Sequence, residues 1–400
     1  MGPRPLPLHL AAHAWTVLSS HAALPLLKKG SLPWNPQVAA AAADFARALD
    51  GVNPDAFGAA VTRETFRRLE QYLDGLGAYR HHPYQRLLRD PPVIWDEGTT
   101  RLLDYGGDPH GLPLLVVPSL VNRAYVLDLT EERSFLRYMA ARGFRTFLVD
   151  WQAPGEEERD FTMTDYVMGR LARALDVVLA LTGRAPVVAG YCMGGMLALG
   201  LTTRRPDDTA GLVLLATPWD FHTDRDDHLG RLETMEPWFE ALMRFAGELP
   251  VDVLQTLFAA LDPTLADRKF RSFAALDPRS PKAREFVALE DWVNDGIPLA
   301  GPVARECLFE WYGRNTPANR QWPIGGAPVL PESHRAPALA VVPSRDRIVP
   351  PASAMALAEA IPGARPHVVA AGHIGMVTGS GAVTLVYGPV AEWLDQLGRT

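Results

Sequence analysis

From Leu112 onward the chain alternates between two kinds of segment, and that alternation limits it to few folds. The runs "LPLLVVPS" (112–119), "FRTFLVDW" (144–151), "APVVAG" (185–190) and "AGLVLLATP" (210–218) are short, apolar and rich in branched residues. Each reads as a strand buried on both faces. Between them lie helical patterns. Thr130, with Glu131 and Glu132 behind it, is expected to cap one helix that stops at Gly143. Val167, Leu171, Leu175 and Val178 mark another, stopped by Gly183. Strand–helix alternation with two-sided burial predicts an α/β protein: a mostly parallel sheet with helices on both faces.

The pattern also marks where the sheet is interrupted. "PPVIWDEGTTRLLDYG" (91–106) reads as a hairpin turning near Gly98. Residues 1–90 read as a helical extension, with Val38, Ala41, Phe45 and Leu49, then Phe66, Leu69, Leu73 and Leu76, at helical spacing. Alternation fails across 219–334, an aromatic-rich helical stretch broken at Pro263, Pro281 and Pro298. It resumes with "APALAVVPS" (336–344), a helix over 351–361, "RPHVVA" (365–370) and a helix near 383–397. The expected organisation is a core of 91–218 and 335–400, interrupted by an insertion, 219–334, lying as a lid over the sheet's C-terminal edge. Open α/β sheets place their sites at that edge.

One strand ends in "GYCMGG". A strand leading through Gly-x-nucleophile-x-Gly into a helix is a nucleophile elbow. The turn is cramped, so Gly190 and Gly194 leave room where side chains would clash, and Gly195 lets the helix approach the strand. The nucleophile is Cys192, one of two cysteines in the chain, and the helix N-terminus beneath it favours a thiolate. The Met193 N–H is placed to hold an oxyanion. In this arrangement the acid and the base follow the nucleophile in that order. Asp346 in "SRDRIVP" and His373 in "GHIGMVTG" both follow strands, as the order requires. Asp150 and Asp220 follow strands too and are rivals for the acid. Cys307 reads as a small buried hydrophobe. His81, His82 and His110 read as surface residues, and Asp291 and Asp295 as caps in the insertion.

Composition excludes several classes. A net charge of −7 and a pI near 5.9 argue against a nucleic-acid partner. Two cysteines make neither a disulfide framework nor a thiolate metal site, and point to a reducing cytoplasm. There is no Walker loop, dinucleotide fingerprint or zincin helix, so neither a metal nor a resident cofactor is expected. Pro5–Leu27 carries no Asp, Glu, Lys or Arg. It reads first as an apolar helix docked on the protein, and second as a contact with a lipidic surface.

These motifs resemble those of the polyhydroxyalkanoate (poly-3-hydroxybutyrate) synthases, acyltransferases with the α/β-hydrolase fold. "GYCMGG" matches their form of the elbow. "VVPSLVNRAYVLDLTEERSFLRYMAARGFRTFLVDW" (116–151) is similar to their segment after the third strand, and "SRDRIVP" and "GHIGMVTG" to their acid and base motifs. The resemblance runs from about residue 90 to the C-terminus and thins in the insertion. It implies that Cys192 accepts the acyl group of an (R)-3-hydroxyacyl-CoA and that His373 activates it. Asp346 then serves as the acid or helps deprotonate the incoming hydroxyl, and an N–H near Val121 is the second oxyanion donor. It further implies a growing polyester chain as partner, a granule surface as location, and a homodimer or a partner subunit as open alternatives. The N-terminal region is shorter than in the long single-subunit synthases, which bears on polymerisation more than on covalent catalysis. A thioesterase or an intracellular polyester depolymerase on the same scaffold is the alternative. A thiol in place of the usual serine favours transfer, because moving an acyl group from one thioester to another keeps it activated.

Overall fold

The apolar runs become one eight-stranded sheet in a computed structural model that describes residues 2–32, 34, 36–223 and 229–398. Its strands are β1 (Val93–Glu97), β2 (Thr100–Gly106), β3 (Pro113–Val117), β4 (Arg145–Asp150), β5 (Val187–Tyr191), β6 (Gly211–Leu215), β7 (Ala338–Pro343) and β8 (Arg365–Val369). Their spatial order is β1-β2-β4-β3-β5-β6-β7-β8. The β1–β2 hairpin is antiparallel and β2 joins β4 antiparallel, while β4 through β8 pair in parallel. Every residue of β3, β5, β6 and β7 is buried, the two-sided burial their composition requires. The order puts β5 and its elbow near the middle, with the later strands beside it in chain order.

The helix after residue 130 starts later than expected. Asp128–Thr130 and Arg133–Ser134 form a small antiparallel pair, and the helix is Phe135–Ala141. Ser134, not Thr130, is its cap, accepting from the Arg137 N–H at 3.0 Å. Thr130 is instead engaged with Glu132. The next helix behaves as read: it opens with a π-helical turn over Asp165–Leu171, continues over Ala172–Thr182, and stops at Gly183 with φ 65°.

The chain divides into two units: Met1–Tyr84 with Gln255–Glu290, and Gln85–Leu254 with Asp291–Thr400. The division does not follow an extension-plus-insertion scheme, because 255–290 packs with the N-terminal helices. The reason is aromatic. Tyr72, Leu76 and Tyr79 of helix Pro54–Arg80 bury against Phe270 and Phe273 of helix Leu265–Ala274. Tyr72 and Tyr79 both meet Phe270 edge to face. The expected stripe on the first of these helices is displaced: Phe66 and Leu73 are exposed, and the buried line runs Tyr72–Gly75–Leu76–Tyr79. Helix Pro36–Ala48 likewise leaves Val38 and Phe45 exposed. Among the described residues no helix is long and apolar enough to cross a membrane, including Leu6–Lys28. Residues 224–228 of the expected lid lie outside the described residues.

Candidate active site

The elbow is strained where its chemistry needs it to be. Cys192 holds φ 56° and ψ −129°, a conformation that non-glycine residues rarely adopt. Its N–H donates to the Leu215 carbonyl on β6 at 2.8 Å, and its carbonyl accepts from the Gly195 N–H at 2.9 Å. The helix Met193–Arg204 then begins at once. A Cβ on Gly190 would lie 2.3 Å from the Gly195 Cα, and one on Gly194 would lie 2.1 Å from the Val117 carbonyl oxygen. A Cβ on Gly195 would lie 1.8 Å from Thr217 Oγ1. No side chain fits at any of the three positions. Asn122, Gln152 and Ala216 also hold positive φ, each just beyond β3, β4 and β6 respectively. Backbone strain thus gathers along the edge that carries Cys192.

The chain brings Asp346 and His373 together at the same edge. Asp346 follows β7; its Oδ1 accepts from the Ile348 N–H at 2.8 Å and the Val349 N–H at 2.9 Å. Its Oδ2 lies 2.6 Å from His373 Nδ1, so the imidazole donates to the carboxylate from that nitrogen. His373 follows β8 and is buried. Burial by itself lowers its pKa. The Cys192 sulfur, with its charge and a side-chain hydrogen bond, and the Asp346 carboxylate outweigh that and raise it to about 10. Cys192 packs against Val342, Val349 and Ala354 with Ile348 and Met355, an apolar wall beside the sulfur.

The rivals are engaged elsewhere. Asp150 accepts from Gln152, and Asp220 accepts from Asn315 Nδ2 at 2.8 Å and the His222 N–H at 3.0 Å. Asp295 is not a loop cap: it pairs with Arg123 at 2.9 Å and accepts from the Tyr125 hydroxyl at 3.3 Å, bracing the loop after β3. Cys307 is buried, and burial pushes its thiol well up. His81 and His110 are exposed, while His82 meets the Pro278 carbonyl.

The two N–H groups expected to hold an oxyanion are less alike than the sequence suggests. The Met193 N–H stands in the first turn of its helix, where N–H groups have no acceptor within the helix. The Val121 N–H donates to Ser119 Oγ at 3.0 Å, so in this state it is engaged by a neighbouring hydroxyl. Trp151 Nε1 donates to the Pro118 carbonyl at 3.0 Å and steadies that loop. Sequence reasoning missed Ser119, Tyr191 and Glu306. Tyr191 donates to the His373 main chain. Glu306 accepts from Trp322 Nε1 at 2.6 Å, and burial raises its carboxyl to about 7. None carries a local pattern; a buried polar group becomes visible only once its partner is placed.

Residues 109–380 match the model of the alpha/beta hydrolase fold family. A poly(3-hydroxyalkanoate) polymerase subunit PhaC from Allochromatium vinosum is 29% identical over 71% of this chain and 81% of its own length. A subunit of the same name from Haloferax mediterranei is 28% identical over 77% of this chain, which spans 64% of that relative's length. A solved thermophilic esterase from Thermogutta terrifontis is 23% identical, covering 79% of this chain and all of its own, with a TM-score of 0.48. The matched segment contains the elbow, the Asp346–His373 pair and strands β3 to β8 that present them, and the chain belongs to the alpha/beta hydrolase fold family, with poly(3-hydroxyalkanoate) polymerase subunits among its curated relatives.

Proposed function

We propose that this protein is an acyltransferase that builds a polyester from (R)-3-hydroxyacyl-CoA thioesters, with Cys192, His373 and Asp346 as its triad. The observation that carries the reading is the 2.6 Å contact of His373 with Asp346 beside a cysteine on a strained elbow. The names of the relatives, poly(3-hydroxyalkanoate) polymerase subunits, support a polyester of 3-hydroxyalkanoates as the product.

The steps follow from the groups present. Cys192 reacts as a thiolate, its proton held on His373 between the sulfur and the Asp346 carboxylate. The sulfur attacks the thioester carbonyl. The Met193 N–H holds the developing oxyanion, joined by the Val121 N–H once Ser119 Oγ releases it. The C–S bond to coenzyme A breaks, and the departing thiolate takes the proton from His373. The acyl group now sits on Cys192 as a thioester, still activated. His373, neutral, takes the proton of the hydroxyl on a second acyl unit. That oxygen attacks the acyl-enzyme, an oxoester forms, and the Cys192 thiolate is released with His373 protonated again. The chain's own groups suffice, with no resident cofactor. The polyester is apolar, so it separates as a granule with the enzyme at its surface, in the cytoplasm.

The test is incubation of the purified protein with 3-hydroxybutyryl-CoA, following coenzyme A release and identifying the product. Release with insoluble polyester supports the reading. Release with free 3-hydroxybutyrate alone makes the protein a hydrolase. Unchanged release by Cys192→Ala would refute the covalent mechanism.

A further inference from the structure

The residue before the nucleophile does more than end its strand. Tyr191 is buried, and its ring stands 5.3 Å from the His373 ring between centroids, tilted by 35°. Its hydroxyl donates to the His373 main-chain carbonyl at 3.2 Å. Burial, and then the charges of Cys192, Asp346 and Tyr387, hold its pKa well above the ordinary tyrosine range, so the hydroxyl keeps its proton and remains a donor.

We infer that Tyr191 is a positioning residue: its hydroxyl ties the loop carrying His373 to the strand carrying Cys192. The inference rests on the proposed pairing of His373 with Cys192. His373 lies in the loop between β8 and the short helix Gly375–Thr378. Asp346 holds its ring at one atom only, Nδ1. The Cys192 sulfur bonds the ring on its other side, but both contacts hold the ring and neither fixes the backbone it projects from, so a shift of the His373 main chain carries Nε2 away from the sulfur. The bond from Tyr191 fixes the main chain from which the ring projects. Because Tyr191 and Cys192 are covalent neighbours, a movement of the elbow carries the His373 carbonyl with it. One hydroxyl thus joins two residues 182 positions apart in the chain. Positioning errors of about 1 Å cost on the order of a hundredfold in rate, so such a tether acts on the chemical step.

The test is Tyr191→Phe, which keeps the ring and removes the donor. Two readouts are used. The first is the rate of Cys192 alkylation by iodoacetamide from pH 5 to pH 10, read on the Cys192 peptide by mass spectrometry. The second is kcat and KM with 3-hydroxybutyryl-CoA. Expected are a roughly tenfold slower alkylation at pH 7 and a kcat lowered about tenfold with KM unchanged. A Tyr191→Phe protein with the wild-type alkylation profile and kcat overturns the inference. Replacing Tyr191 by 4-aminophenylalanine restores an N–H donor at the same place and is expected to restore both readouts. If that protein behaves like Tyr191→Phe, or if Phe fails to fold and the amino variant alkylates like a free thiol, the tether is refuted. Alkylation uses no acyl-CoA, so it separates loss of the tether from an error in the proposed substrate.

Discussion

Asp346→Asn tests the proposed triad at its most constrained contact. The carboxylate makes three hydrogen bonds: two N–H groups of its own turn on Oδ1, and His373 Nδ1 at 2.6 Å on Oδ2. Asn keeps one oxygen for the turn. It then presents an NH2 to the Nδ1–H, and two donors face each other. The imidazole must give up that proton or turn away, and either outcome spoils Nε2 as the partner of Cys192. A hydrogen bond to a charged group contributes about 1.5–3 kcal/mol, which converts to roughly 10- to 150-fold. The ~10⁴-fold loss for the same change in a serine triad sets a ceiling, and a thiol, more acidic than a hydroxyl, should stay below it. Loss of the carboxylate also removes one of the causes that raise His373 to about 10. The imidazolium that protonates coenzyme A is then lost at lower pH, so the alkaline limb of coenzyme A release moves down. The assay is coenzyme A release from 3-hydroxybutyryl-CoA across pH 6 to 10, with circular dichroism to establish folding. A folded Asn variant within twofold of wild type, with an unmoved alkaline limb, would refute the role given to Asp346.

Two further outcomes follow from packing and burial. Gly195→Ala places a Cβ 1.8 Å from Thr217 Oγ1 and 2.7 Å from its Cβ and Cγ2, and is expected to cost about 1–3 kcal/mol in a denaturant melt. Adding Thr217→Ala removes two of those three atoms, and failure to recover any stability would contradict the overlap. Glu306→Gln addresses a carboxyl raised by burial to about 7 from 4.5. The folded state then binds its proton more tightly than the unfolded state, so its contribution to stability falls as pH rises from 4.5 through 7. The Gln variant should therefore be more stable than wild type by about 1–3 kcal/mol at pH 8 and equal to it near pH 4.5; an equal gain at both pH values would rule out the titration.

The parts of the site that were legible beforehand are those set by local backbone physics. The glycines of "GYCMGG" foretell a turn in which side chains do not fit, and the contacts around Gly190, Gly194 and Gly195 are such a turn. Asp346 and His373 were legible as residues at strand ends. Chain order already favoured Asp346 over Asp150, which precedes Cys192; Asp220 follows Cys192 and a strand as Asp346 does, and only the partner standing opposite each separates those two. Thr130 was read as a helix cap from its local setting, and a two-strand pairing beyond that setting moved the helix start to Ser134.

Periodicity and glycine placement act over a few residues, so the sheet strands and the elbow could be read directly from the chain, as could the order in which Cys192, Asp346 and His373 follow one another. Tertiary structure decided which helical stripe is buried, that residues 255–290 join the N-terminal helices, that Ser119 engages the Val121 N–H, and that Tyr191 reaches His373. Helix Pro54–Arg80 shows the physical reason: Phe66 and Leu73 are as apolar as the residues that are buried, yet Tyr72 and Tyr79 face Phe270 and turn inward. Apolarity says that a face will be covered; only the partner that covers it says which one.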